Sequence, residues 1–185
     1  MIKNFYNDIY IHGGQVFETY EEYIEYLKKP PSPSYISWAD QWLTENMLLR
    51  GETVIRPRFP CKENAKYEEW KIVFEKYLTE PQFVVGFSLG GLFLAKYLSE
   101  NSNPLIKHAF LVAPPSSLPG WEVTNTDFSA PATLFFSQDD KIVPFNTAEF
   151  YEGLPQVHLN GVNHFFCEDF PQLLEVYDSV SQKTE

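Results

Sequence analysis

The chain has little sulfur, little positive charge and no long apolar run. Its 185 residues include only two cysteines, Cys61 and Cys167, which make no disulfide framework. Both are expected as reduced thiols in a cytoplasmic protein. His164 and Cys167 have H-x-x-C spacing, but no second pair completes a zinc set, so no metal and no cofactor is expected. Lys and Arg total 14 against 25 Asp and Glu, a net charge of −11. A chain this acidic repels phosphate backbones and anionic bilayers, so neither nucleic acid nor membrane is an expected partner. The most apolar stretch, Phe83 to Leu98, is broken by Ser88, three glycines and Lys96 and is short for a bilayer span. Residues 1–8 lack the uninterrupted apolar core of a secretion signal, so export is not expected. Neither G-x-G-x-x-G nor a Walker loop occurs, which argues against a nucleotide-binding domain.

What the chain does have is a globular balance, 44% apolar and 21% charged, with 16 Phe, 11 Tyr and 4 Trp. That excludes disorder and coiled coil, and the length suits a single domain. Along the chain, apolar strand signals alternate with helical ones. Strands are expected at Ile9–Ile11, Thr53–Ile55, Phe83–Val85, Ala109–Val112, Thr133–Phe136 and Val157–Leu159. Phe83–Val85 has no polar alternation, as befits a parallel strand covered on both faces. Helices are expected after Thr19, whose spacing to Glu22 fits a capping box, over 36–49, over 63–78, from Leu89 to Leu98, and after Pro144 and Pro171. The pattern predicts an α/β fold, a doubly wound sheet of about six mostly parallel strands with helices on both faces. Pro30 to Pro33 reads as a stiff connector. Residues 114–131, with four prolines and no period, are too long for an ordinary connection and so are either functional or mobile.

Gly86-Phe87-Ser88-Leu89-Gly90 fits G-x-S-x-G and lies between an apolar strand and an apolar helix. There a serine sits on a sharp turn above the sheet, at a helix N-terminus that favours negative charge. The same residues could make a plain glycine turn. Serine needs a base, and the base needs an orienting acid. Of four histidines, His108 and His158 fall in or beside strands and His12 precedes a glycine turn. His164 lies in a polar loop just beyond the last strand and is the candidate base. The acid is Asp139 or Asp140, with Asp140 favoured because D-x-x-V-P sets it just before a helix start. Backbone N–H groups of Leu89 and of the His12-Gly13-Gly14-Gln15 loop, Gly14 first and Gln15 second, are the candidate oxyanion donors. His12, Phe87 and Trp121 are candidates for lining the pocket.

Together, strand–HGG, the serine elbow, D-x-x-V-P and the late Asn163-His164-Phe165 resemble a minimal α/β-hydrolase. The 57–70 segment, Pro57-Arg58-Phe59-Pro60 followed by Trp70, resembles that of small serine hydrolases that include retinoblastoma-binding protein nine and the YdeN-like proteins. The resemblance implies Ser88 as nucleophile, Asp140 as acid and His164 as base, acting on a small ester, amide or thioester. Two departures stand out. Phe87 replaces a histidine found in many relatives, and residues 15–33 look like a helical insertion. The face formed by Phe17, Tyr20, Ile24 and Leu27 is expected to pack on the body, or else to cap the pocket. The alternative is a hydrolase-shaped module that binds a protein partner through exposed Trp121 and Phe128.

Overall fold

The computed structural model describes residues 7–30 and 37–182. Strands β1 (Asn7–Ile11), β2 (Thr53–Ile55), β3 (Gln82–Phe87), β4 (Ile106–Val112), β5 (Ala132–Ser137) and β6 (Gln156–Leu159) form one sheet in the order β2-β1-β3-β4-β5-β6. All five pairings are parallel. The helices are α1 (Tyr20–Leu27), α2 (Gln41–Leu49), α3 (Tyr67–Glu75), α4 (Leu89–Glu100) and α5 (Pro171–Ser181), with a 3-10 helix at Phe145–Tyr151.

The alternation of strand side chains divides the core into two layers. Ile9, Ile11, Val84, Leu111, Leu134 and Phe136 face α3 and α4, where they meet Trp70, Phe74, Leu92 and Phe93. Tyr10, Phe83, Val85, Phe110, Val112 and Phe135 face α2 and α5, against Leu43, Met47, Leu173 and Tyr177. This double cover explains why every residue of β3 is buried. The chain leaves β1 toward β2 and returns on the other side at β3. The strand order therefore reverses between β1 and β3, and a crevice opens beyond their carboxyl ends.

Several expected boundaries move. The helix expected over 63–78 begins only at Tyr67, because residues 61–65 are held elsewhere: Asn64 N–H donates to Cys61 C=O, and Ala65 N–H to Gln15 C=O. The helix expected over 36–49 begins at Gln41, and Ile36 lies outside the described residues, as do Pro31 to Pro33 of the expected connector. After Pro144 the chain takes a 3-10 rather than an α-helical path. The capping box does form: Glu22 N–H donates to Thr19 Oγ1, and Thr19 N–H to Glu22 Oε2. The face of α1 is not packed down as expected. No residue of that helix is fully buried, Tyr20 and Leu27 are 68% and 51% exposed, Ile24 is half-buried, and Phe17 meets Tyr23 and Tyr26 of its own segment with tilted rings. Trp121, a candidate pocket residue that the protein-binding alternative needs exposed, is 1% exposed and packs edge-on to Trp70 and Tyr67. The segment from Pro114 onward is thus anchored in the core by its indole, which removes the main support for the protein-binding alternative.

At the amino end of the sheet, Asp8 is buried and accepts hydrogen bonds from Tyr177 O–H (3.0 Å) and Phe83 N–H (3.2 Å). Burial pushes its pKa up to about 7; nearby Glu52 adds to the rise, while those two hydrogen bonds and Lys107 oppose it. The folded state therefore keeps a proton that the unfolded chain loses, so this contribution to stability is full at low pH and disappears as pH rises from about 4 through about 7. Buried His108, pushed down to about 4 by desolvation, acts in the opposite sense. A difference measurement isolates Asp8. The unfolding free energy of Asp8→Asn minus that of the wild type should grow across that window, toward a gain on the order of a few kcal/mol at neutral pH. A difference independent of pH would refute the assignment.

Candidate active site

Five loops at the carboxyl edge of the sheet, those after β1, β3, β4, β5 and β6, meet over the β1–β3 crevice. Ser88 stands between β3 and α4 with φ 54° and ψ −115°, a conformation strained for any residue bearing a Cβ. The turn is possible because glycine stands on both sides. A Cβ on Gly86 would run into the Gly90 carbonyl and Leu94, and one on Gly90 would run into the Ile11 carbonyl. His164 follows β6. Its Nε2 lies 2.9 Å from Ser88 Oγ, and its Nδ1 lies 2.8 Å from Asp140 Oδ2. Both members of the His164–Asp140 pair are almost fully buried.

Asp140 is held on its other side. Its Oδ1 accepts from Ile142 N–H (2.7 Å) and Val143 N–H (2.9 Å), which leaves Oδ2 for the imidazole. A carboxylate can only accept, so Nδ1 must carry a proton, and the Nε2 lone pair of the neutral ring faces the serine hydroxyl. The structure thus brings Ser88, Asp140 and His164 together. It also separates the two aspartates, since Asp139 turns away to Ser137 Oγ and to the backbone of Gly161 and Asn163.

A pocket of about 340 Å³ opens beside Ser88. Its walls include Gly14, Gln15, Leu89, Pro115, Ser116, Ser117, Leu118, Ile142, Val143, Pro144 and Thr147. No Lys, Arg, Asp or Glu is among them. Nothing in the sequence singles out Ser116, Ser117 or Leu118 beyond the unusual length of the segment after Pro114. None of the three candidate pocket residues lines this pocket. Phe87 packs behind the His164 ring with centroids 5.2 Å apart, Trp121 is in the core, and His12 lies edge-on to Trp70 and Phe59. His12 Nδ1 donates to the Gly13 carbonyl at 2.7 Å, and burial lowers its pKa, which keeps the ring neutral. Of the proposed backbone donors, Gln15 N–H is already committed to Lys62 C=O at 2.8 Å, which corrects its candidacy. Gly14 and Leu89 both border the pocket. No room exists for a side chain at Gly14, where a Cβ would lie 2.7 Å from the Lys62 carbonyl oxygen.

Solved structures resemble this architecture over almost its whole length. The ydeN gene product of B. subtilis superposes with a TM-score of 0.70 at 18% identity, covering 96% of this chain and 99% of its own. The chain has the α/β-hydrolase fold. A YdeN-like protein of Pectobacterium atrosepticum gives a TM-score of 0.67 at 17% identity over 95% and 91% of the two chains. An esterase of Pyrococcus furiosus gives 0.64 at 18% identity over 96% and 80%. No family model matches the sequence, and neither does any curated protein. Among the described residues, no helix of this α/β-hydrolase fold is long and apolar enough to cross a membrane.

The strain at the elbow is testable. Glycine adopts the Ser88 conformation freely, whereas alanine keeps the Cβ that resists it. In urea, Ser88→Gly should unfold later than Ser88→Ala, by about 1 kcal/mol. Equal midpoints would show that the turn stores no strain.

Proposed function

We propose that the chain is a serine hydrolase that transfers the acyl group of a small, uncharged ester, amide or thioester to Ser88 and then to water. The observation that carries this reading is the unbroken chain of hydrogen bonds from Ser88 Oγ through His164 to Asp140, at the wall of a pocket.

In this mechanism His164 Nε2 takes the hydroxyl proton as Ser88 Oγ bonds to the carbonyl carbon. Asp140 stabilises the imidazolium that forms. The carbonyl oxygen becomes an oxyanion, and Leu89 N–H at the first turn of α4 has no intrahelical acceptor, so it is free to stabilise that charge. Gly14 N–H is the second donor. The His12 ring holds the Gly13 carbonyl, and in a trans peptide the following N–H points the opposite way, away from the imidazole. His164 then returns its proton to the departing alcohol, amine or thiol. Water attacks the acyl-enzyme by the same route and restores Ser88. The uncharged walls disfavour substrates with a carboxylate near the scissile bond, because no cation is there to balance its desolvation.

A fluorophosphonate should label the wild type and leave Ser88→Ala unlabelled. His164→Ala and Asp140→Asn should each lower turnover of a neutral acyl ester about 10³–10⁴-fold. A folded wild type that fails to react, or a His164→Ala variant that keeps most of its rate, would overturn the reading. A neutral ester should also outrun a carboxylate ester of equal length, and the opposite order would reject the proposed substrate class.

A further inference from the structure

We propose that Asp139 is a positioning residue that holds the His164 loop in register with the Asp140 turn. This rests on the hydrolase reading above and deepens it. The β5–β6 ladder ends where Gln138 N–H donates to Leu159 C=O at 2.9 Å, and beyond that bond the two strands separate into the acid-bearing and base-bearing loops. Side chains reconnect them. Asp139 Oδ1 accepts from Gly161 N–H at 2.9 Å and Asn163 N–H at 3.2 Å, and Asn163 Oδ1 accepts from Lys141 N–H at 3.1 Å. Ser137 Oγ, buried at the end of β5, donates to the same Asp139 oxygen at 2.5 Å and aims the carboxylate.

The loop needs this restraint because its backbone is left-handed on both sides of the base. Asn163 and Phe165 have φ of 50° and 54°; asparagine tolerates that region, but at Phe165 it is unfavourable. Conformations of that kind persist only when surrounding contacts enforce them. Phe165 is fully buried and anchors the far side against Phe170; Asp139 is the matching tie on the near side. His164 Nε2 and Ser88 Oγ are brought together across the sheet from β6 to β3, so a small displacement of this loop breaks the 2.9 Å contact. Hydrogen bonds to three donors also hold the Asp139 carboxyl below its ordinary range, which keeps it a full acceptor.

The test compares Asp139→Ala, Asp139→Asn and Ser137→Ala with the wild type and with Arg50→Ala. The last breaks the Arg50–Asp178 ion pair near the opposite edge of the sheet and controls for a general loss of stability. Asp139→Ala should react with a fluorophosphonate about 10–10²-fold more slowly and lower kcat for a neutral ester with KM little changed. Asp139→Asn keeps one acceptor oxygen and should recover part of the rate, whereas Arg50→Ala should label as the wild type does. The downfield proton signal of His164 Nδ1–H, which reports its bond to Asp140, should broaden or vanish in Asp139→Ala. Folded Asp139→Ala with wild-type labelling and an unchanged signal would overturn the proposal. If Asp139→Ala does not fold, Asp139→Asn and Ser137→Ala carry the same comparison. If the folded wild type itself is not labelled, the hydrolase reading fails, and the imidazole signal alone decides whether Asp139 positions the ring.

Discussion

The 2.8 Å hydrogen bond between His164 and Asp140 is the constraint on which the rest of this site depends. It fixes which ring nitrogen is protonated and therefore which one offers a lone pair to Ser88. The bond is buried, so water does not compete for the carboxylate, and two backbone amides satisfy the oxygen that the ring leaves free. The loops after β5 and β6, the packing of Phe87 against the imidazole and the bend at Ser88 all serve to bring these groups to one place.

Backbone strain is concentrated in the same region. Among the described residues, the non-glycine positions with left-handed φ are Cys61, Ser88, Ala113, Asn163 and Phe165. Each lies in a loop that follows the carboxyl end of a strand. The sheet beneath is regular, parallel and packed on both faces, and it can hold irregular loops because its own conformation is over-determined. The amino edge uses buried polar groups differently: Asp8 ties β1 to Tyr177 of α5 and to the backbone of β3. That carboxyl has no part in the proposed chemistry and bears on stability alone.

Much of the architecture was legible in the sequence because it rests on local or periodic signals. Strand β3 reads as buried because both of its faces are apolar, the Thr19–Glu22 spacing marks a helix start, and the glycines around Ser88 mark a turn too tight for side chains. What stayed hidden depends on contacts distant in sequence. No local pattern shows that Gln15 N–H is spent on Lys62, or that residues 61–65 are tied to the Gln15 loop and delay α3 until Tyr67. Trp121 sits in an aperiodic, proline-rich stretch that suits a pocket wall or a surface equally, yet its partners Tyr67 and Trp70 lie on α3, some fifty residues earlier. Adjacent Asp139 and Asp140 were interchangeable on paper, and only the direction each side chain takes from the turn assigns one to the ring and the other to the loop that carries it.

The parallel connectivity also sets the order in which the pieces arrive. The elbow at Ser88 closes once β3 has β1 and β4 as neighbours, whereas the imidazole comes 76 residues later and α5, which covers that side, is the last element described. Contacts that span so much of a chain carry a larger loop-closure cost than local ones. In the proposed chemistry the Ser88 hydroxyl therefore stays an unactivated alcohol until the loop after β6 docks against it. Fragments ending before β6 would then be inert bystanders rather than stray acyl acceptors.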